Sequence, residues 1–431
     1  MRFALINPAW SFEGSIYFGC REPHLPLEFG YAKALLERAG HDALIVDGQL
    51  GAPPGAIDTC SVAAAVEDFR PDFAVVTTAP SYLFWRCAPP ELRIPRETID
   101  AIAGSVRGRG GKIVAVGPHA STTPLTTVRK LGADIAILGE CEDILPKLAG
   151  DWNKLESVSF DGAVRGGPHA TDMNSLPALA WLDKTIARHA HHHHRFEAAP
   201  AGPGAEVEFS RGCPYHCTFC AKENFRDDYR RRPLAVVLEE IDALLSQGVE
   251  YIYFIDEIFL PYKPLLEALA ARHLKFGIQT RIDLWSCELI DLLGRAGCVS
   301  IEAGVESISE EGRRMLDKKC RLSTDDLAER LLYAKDRVPF VQANLLSMEQ
   351  DDPAAIEAWR QYLIARGVWA NEPVPLFSYP GSPEYTRRWG APDENAWERA
   401  VDAYLGLNHA FSDIQEQRPQ RLVQLETRCA C

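Results

Sequence analysis

The residues best placed to do chemistry are three cysteines, Cys213, Cys217 and Cys220, in the stretch Ser-Arg-Gly-Cys-Pro-Tyr-His-Cys-Thr-Phe-Cys. Three thiolates in one short loop can each take a different iron of a cubane iron–sulfur cluster and leave the fourth iron without a protein ligand. An iron left open in this way is a place for a substrate or cofactor. The spacing, three residues and then two, matches neither the paired ligands of zinc motifs nor a secreted disulfide framework. A zinc ion held by the same thiols with His216 as fourth ligand is the alternative.

The elements that must position this loop are written in the hydrophobic pattern. Ala205-Glu-Val-Glu-Phe-Ser210 alternates as a strand directly before it. Downstream, strands predicted at Tyr251–Glu257, Lys275–Thr280, Val299–Gly304, Phe340–Leu346 and Glu372–Ser378 are separated by amphipathic helical stretches. Residues 205–390 therefore read as a partial six-unit (β/α) barrel, too short for a closed eight-stranded one, with its chemistry at the carboxyl ends of the strands. Upstream, residues 1–150 alternate apolar strands with helices, the pattern of a doubly wound parallel sheet that binds ligands at its strand ends. No Gly-x-Gly-x-x-Gly follows the first strand, which disfavours a dinucleotide. Residues 151–204, punctuated by Gly and Pro, read as an interdomain connector. Residues 391–431 give a helix at Glu394–Leu407, suited to close the open side of the barrel, and a polar tail. The expected fold class is α/β throughout, with that short helical extension.

At 431 residues the chain can bury two or three cores, and a composition 46% hydrophobic and 25% charged is that of a globular protein. A net charge of −14 argues against non-specific nucleic-acid binding. No apolar run spans a bilayer, and Met1-Arg-Phe-Ala-Leu-Ile opens as a strand rather than a signal, so a cytoplasmic location is expected. Among the 12 cysteines, Cys20, Cys60, Cys87, Cys141, Cys287, Cys298 and Cys320 read as small buried hydrophobes in a reducing compartment. Arg226, Arg230, Arg231 and Arg232 are either a solvated helix entry or contacts for an anionic substrate. The run His191–His194 has two readings, a zinc- or nickel-binding tract or proton donors at the substrate cavity. Cys429 and Cys431 form a candidate redox pair or extra metal contact.

The cysteine loop, with the aromatic Phe219 just before its last cysteine, resembles the signature of the radical S-adenosylmethionine (SAM) superfamily. The resemblance implies a 4Fe-4S cluster whose open iron chelates SAM. It extends along the barrel. Asp256 and Glu257 stand where the family contacts the SAM amino group, and Arg281 where it would pair with the carboxylate. Glu306 and Ser307, in Gly304-Val-Glu-Ser-Ile-Ser309, stand where ribose or methionyl contacts occur, and Tyr379-Pro-Gly-Ser-Pro383 matches the sixth-strand turn. The fifth strand departs from the family's glycine-rich turn, so Asn344 or Ser347 would reach the adenine by side chain.

The N-terminal domain is similar to the cobalamin-binding domain fused to many members of that superfamily, in Pro26-Leu-Glu-Phe-Gly-Tyr-Ala32, in Val116-Gly-Pro-His119 and in Leu138-Gly-Glu-Cys-Glu142. Ser81, Gly117, His119, Gly139 and Glu140 are the positions this resemblance assigns to cobalamin. The Asp-x-His-x-x-Gly motif is absent, so no histidine ligates cobalt from below, and Tyr82 or Trp85 would approach that face. The resemblance implies methylation of an unactivated carbon of a small-molecule substrate through a 5'-deoxyadenosyl radical and methylcobalamin, with electrons from a flavodoxin or ferredoxin. A cyclase or rearrangement enzyme using the same cofactors, and a non-catalytic cobalamin or redox sensor, stay open at this point.

Overall fold

The computed structural model describes residues 1–10, 24–50, 59–80, 90–187 and 203–408. Ser81, Tyr82, Trp85, Cys20, Cys87, the histidine run and the two terminal cysteines lie outside the described residues.

The N-terminal sheet is built from β1 (Arg2–Asn7), β2 (Asp42–Asp47), β3 (Phe73–Thr77), β4 (Lys112–Val116) and β5 (Ile135–Ile137). They run parallel in the order β2-β1-β3-β4-β5. Helices α1 (Leu27–Arg38), α2 (Thr59–Phe69), α3 (Arg93–Arg107), α4 (Pro118–Thr122) and α5 (Pro124–Leu131) connect them. Alternate strand residues go to opposite faces, as strand geometry demands. Phe3, Leu5, Val75 and Val114 join Phe29 and Ala32 of α1 in one core, whereas Ala4, Ile6 and Val76 meet Val62 of α2 and Ile102 of α3 in another. The strand order reverses between β1 and β3, and the carboxyl ends there open the crevice in which such sheets bind ligands.

The stretch read as a connector contributes structure of its own. β6 (Val158–Phe160) and β7 (Ala163–Arg165) add two antiparallel strands to the sheet. Their two-residue turn is Asp161-Gly162, with φ of 48° and 72°, both in the left-handed region a tight hairpin requires. Farther along the connector stands a short helix, α6 (Asp183–Ile186).

The second sheet curves through β8 (Gly204–Val207), then skips a two-stranded ribbon, β9 (Ser210–Arg211) with β10 (Arg230–Arg231), that brackets the cysteine loop. It continues through β11 (Tyr251–Phe254), β12 (Lys275–Thr280), β13 (Cys298–Glu306), β14 (Phe340–Ser347) and β15 (Trp369–Ala370), parallel and in chain order. α7 (Leu234–Ser246), α8 (Lys263–Ala270), α9 (Cys287–Arg295), α10 (Glu310–Met315), α11 (Thr324–Lys335) and α12 (Pro353–Ile364) cover its outside. Six strands that do not close are the partial barrel the repeat count predicts. The last strand differs from the expectation of one run over 372–378. It is split into β15 and β16 (Val374–Pro375), because Pro373 and Pro375 lack the N–H a continuous ladder needs. Asn371 substitutes for the missing backbone pairing: its Oδ1 accepts from Leu345 N at 2.8 Å.

After α13 (Pro383–Trp389), α14 (Ala396–Asn408) packs against the N-terminal domain. Trp397 donates its indole N–H to Thr123 Oγ1 at 2.7 Å, and Ala400 and Tyr404 bury against Ala79, Ala221, Phe377 and Tyr379. This helix therefore ties the two sheets together. Among the described residues no helix is long and apolar enough to cross a membrane.

Candidate functional site

The cysteine loop leaves the barrel at β8 and is clamped at both ends. Gly212 has φ 78°, and a Cβ there would lie 2.1 Å from Asp228 O, so only glycine fits. Its N–H donates to Glu257 Oε2 at 2.8 Å, and Cys213 N donates to Asp227 O at 3.1 Å. Lys222 Nζ closes the loop from below, donating to Cys213 O at 2.8 Å and to Asp227 O at 3.1 Å. Midway, Thr218 N donates to Leu316 O at 3.0 Å, and Glu384 N, at the start of α13, donates to Thr218 O at 2.8 Å. The Tyr379–Pro383 turn thus props the loop, with Gly381 at φ 95° packed between Asn224 and Thr122.

None of the three thiols is in a disulfide and all are partly exposed, as is Phe219. Burial pushes the Cys213 thiol up and that of Cys217 up to about 12, the latter against the pull of Lys318. Thiols in such surroundings ionise only when a cation takes them, which suits metal ligands and not free nucleophiles. No three His, Cys, Asp or Glu side chains among the described residues gather as they would around a single metal ion. Ligands of a cubane bind separate irons and need not converge on one point.

Arg281, at the end of β12, reaches this loop. Its guanidinium lies 4.1 Å from the centre of the Tyr215 ring and pairs in fork geometry with Asp283 at 3.1 and 2.7 Å. Its remaining nitrogen, Nη1, is buried without a hydrogen-bond partner. An unpaired guanidinium nitrogen beside the thiols is a fit for an incoming carboxylate. Glu306 sits at a bulge in β13 with φ 67°, and its carboxylate folds back over Gly304 to pair with Lys318 at 2.6 Å beside Cys217.

Other expected SAM contacts do different work. Asp256 is fully buried, and its carboxylate accepts from Phe209 N at 2.9 Å, Ser210 N at 2.8 Å and the Ser210 hydroxyl. It is a strut beneath the loop, whereas Glu257, also past the end of β11, turns to the loop and accepts from Gly212 N. Ser307 is likewise turned away, donating to Asp351 Oδ1 at 2.8 Å near the start of α10. Asn344 stays on the barrel's inner wall, accepting from Gln342 at 2.6 Å. The strand register sets Gln279, Glu302 and Gln342 side by side across β12, β13 and β14. Oε1 of Gln342 is buried with no partner.

At the strand ends of the N-terminal sheet, Thr77, Gly117, Gly139 and Glu140 line a crevice whose far wall is Phe225 and Arg226, just past the cysteine loop. Gly117, at φ 112°, lies against Thr78, and the hydroxyls of both Thr77 and Thr78 are buried and unpaired. Thr77 lines that crevice, and its unpaired hydroxyl suits a ligand rich in amides. These threonines end an apolar strand, a signal the sequence reading passed over. Gly139 fits its place because the backbone of His169 lies within 2.4 Å of where a Cβ would stand.

Two residues assigned to cobalamin are occupied otherwise. Glu140 accepts from Arg211 at 2.7 Å, from Arg230 and from Thr171 N at 3.0 Å. Burial would raise its carboxyl, but the two arginines outweigh that and hold it at about 2. His119 packs tilted against Trp397 with ring centres 3.9 Å apart, and burial pushes its imidazole down to about 4.

The arginine cluster is neither a solvated helix entry nor an open anion patch. Arg226 and Arg232 are buried in ion pairs with Glu208, Glu257 and Glu240, and Arg230 pairs with Glu140, while Arg231 is exposed over the Tyr262 ring. The cysteines expected in the interior divide: Cys141 and Cys298 are buried, whereas Cys60 and Cys287 are exposed because they begin surface helices.

Residues 207–359 match the family model of the radical SAM superfamily. The hopanoid C-3 methylase of Methylococcus capsulatus is 24% identical over 83% of this chain and 67% of its own length. The bacteriochlorophyllide d C-12(1)-methyltransferase of Chlorobaculum tepidum is 23% identical over 64% of this chain, and the match spans only 59% of that enzyme. The chain thus spans roughly six-tenths of the length of such curated relatives. Among solved structures, the radical SAM methyltransferase TsrM from Kitasatospora setae, with cobalamin and a 4Fe-4S cluster bound, superimposes with a TM-score of 0.66. The likeness covers 90% of this chain and 78% of that one at 19% identity, and so speaks to the fold. The cysteine loop thus lies in a segment, residues 207–359, that matches the radical SAM superfamily, and the chain shares the two-domain fold of TsrM.

Proposed function

We propose that this protein is a cobalamin-dependent radical SAM methylase that acts on an unactivated carbon of a polar small molecule. When bound, the 4Fe-4S cluster supplies the electron that cleaves SAM to a 5'-deoxyadenosyl radical, and cobalamin relays the methyl group. Cys213, Cys217 and Cys220 would hold three irons. Arg281 would donate from Nη1 to the SAM carboxylate, and Glu306, oriented by Lys318, would face the SAM beside Cys217. Thr77, Thr78 and Gly117 would receive the amide-rich edge of cobalamin. Electrons would come one at a time from a flavodoxin- or ferredoxin-like donor.

The reading rests above all on one arrangement: the segment directly after Cys220 forms a wall of the N-terminal crevice, so the two cofactor sites share a boundary. Substrate polarity is supported by Gln279, Glu302 and Gln342 side by side on the barrel's inner wall, with Gln342 Oε1 buried and unpaired, since a buried amide oxygen without a donor is costly. Methyl transfer is supported by the named activities of the two relatives above. The test is anaerobic reconstitution with iron, sulfide, hydroxocobalamin and SAM, assayed with candidate polar substrates. Formation of both S-adenosylhomocysteine and 5'-deoxyadenosine is the expected result. Zinc in place of iron and sulfide, or 5'-deoxyadenosine without S-adenosylhomocysteine in productive turnover, would overturn it.

A further inference from the structure

A buried chain of ion pairs runs from the crevice to the cysteine loop. Glu140 and Glu142, just past β5, meet Arg211 Nη1 at 2.7 and 2.8 Å. Arg211 grips Glu208 with Nε and Nη2, at 3.0 and 2.8 Å. Arg226 Nη1 lies 3.4 Å from Glu208 Oε1 and 3.3 Å from Glu257 Oε1. The other oxygen of Glu257 accepts the Gly212 N–H, next to Cys213. Arg226 is therefore one link from the loop, yet with Phe225 it also forms the crevice wall. It holds this place at φ 67°, a conformation that costs a non-glycine residue about 1 kcal/mol and persists only where the surroundings impose it.

We infer that Arg226 is a positioning residue that couples the two cofactor sites: a corrinoid filling the crevice fixes its guanidinium on Glu257, and the fixed cation is felt at the cluster. This rests on the function proposed above. A cation held closer to a cluster favours its more negative, reduced form, so occupancy of the crevice raises the cluster's reduction potential. By linkage, reduction of the cluster tightens corrinoid binding by the same factor.

The experiment is a redox titration of the reconstituted protein, following the cluster's own paramagnetic resonance with and without hydroxocobalamin. A tenfold change in the oxidised-to-reduced ratio, about 59 mV for one electron, is expected in the wild type. Arg226→Gln, titrated at hydroxocobalamin concentrations that saturate it whatever its affinity, should lose the shift, and Arg226→Lys should keep a smaller one. An unmoved potential in wild-type protein that has bound hydroxocobalamin, or an undiminished shift in Arg226→Gln, refutes the coupling and leaves the proposed function standing. Protein that takes up no hydroxocobalamin refutes both. Should Arg226→Gln fail to assemble, the wild-type comparison together with Arg226→Lys decides, a full-size shift in the latter counting against the role.

Discussion

Replacing Gly212 by alanine tests whether the cysteine loop is held by its backbone or merely tethered by its thiols. The new methyl group meets the backbone of one neighbouring segment: it would stand 2.1 Å from Asp228 O and 2.9 Å from Asp227 O, distances no real Cβ tolerates. The left-handed backbone itself costs alanine about 1 kcal/mol. To relieve the clash the 227–228 segment must retreat. That breaks the bond from Cys213 N to Asp227 O and loosens the one from Lys222 Nζ, each with a net worth of about 1 kcal/mol. The sum, about 3 kcal/mol, corresponds to more than a hundredfold loss of the ligating arrangement. Gly110→Ala is the control, since Gly110 has φ 81° but nothing within 4 Å of its would-be Cβ. It should lose only about 1 kcal/mol of stability and keep its cluster. The assay is iron and sulfide per chain after anaerobic reconstitution, alongside urea unfolding of the apoprotein. Gly212→Ala protein with a full complement of iron, as stable as Gly110→Ala, would show that the clamp described here does not hold the loop.

Arg281→Met should leave iron content intact and weaken SAM binding roughly 10- to 100-fold, the worth of a charge-assisted hydrogen bond, as read by calorimetry with SAM under anaerobic conditions. Glu140 has a folded pKa of about 2, below its ordinary value, so the stability it contributes is present above about pH 4.5 and is lost as pH falls toward 2. Glu140→Gln should remove about 3 kcal/mol at pH 7 and flatten that acid limb in urea unfolding. His119 is buried neutral with a pKa of about 4, so the unfolded chain takes up its proton first and stability falls between about pH 6.5 and pH 4. His119→Phe, which keeps an aromatic ring against Trp397 but cannot be protonated, should hold its thermal midpoint across that window while the wild type declines.

What the sequence made legible follows from which signals are local. Strand and helix positions in both sheets are set by apolar periodicity, and the three cysteines announce themselves by spacing. The Asp161-Gly162 hairpin was legible too, since a two-residue turn of that composition between Val158-Ser-Phe160 and Ala163-Val-Arg165 is a strong local signal. It was passed over because prolines and glycines nearby suggested a connector. The errors at the site are of another kind. A motif fixes a residue's neighbourhood but not the direction of its side chain. Asp256 and Glu257 are adjacent in the turn after β11, and only the folded turn tells which accepts from Gly212 and which from Ser210. Glu306 and Ser307 divide in the same way, with the bulge in β13 turning one toward Cys217 and the other toward Asp351.

Of the arginines after the cysteine loop, Arg230 could not be placed from local sequence for a reason of distance. A charged side chain is read as exposed unless a partner stands near, and its partner Glu140, which also pairs with Arg211, lies 90 residues away in the chain. Burial of such a group is affordable only with every charge matched, so the ion pairs between the two domains fix their relative placement more strictly than an apolar interface of the same size would. That is the physical reason the crevice and the cysteine loop share a wall. Slide the N-terminal sheet by a few ångström and Arg211, fully buried, loses two of its three carboxylates, a cost of several kcal/mol that no surface rearrangement recovers. The distance between the crevice and the cysteine loop is therefore set by the charges that bridge them, and substitutions at Arg211 should disturb both together.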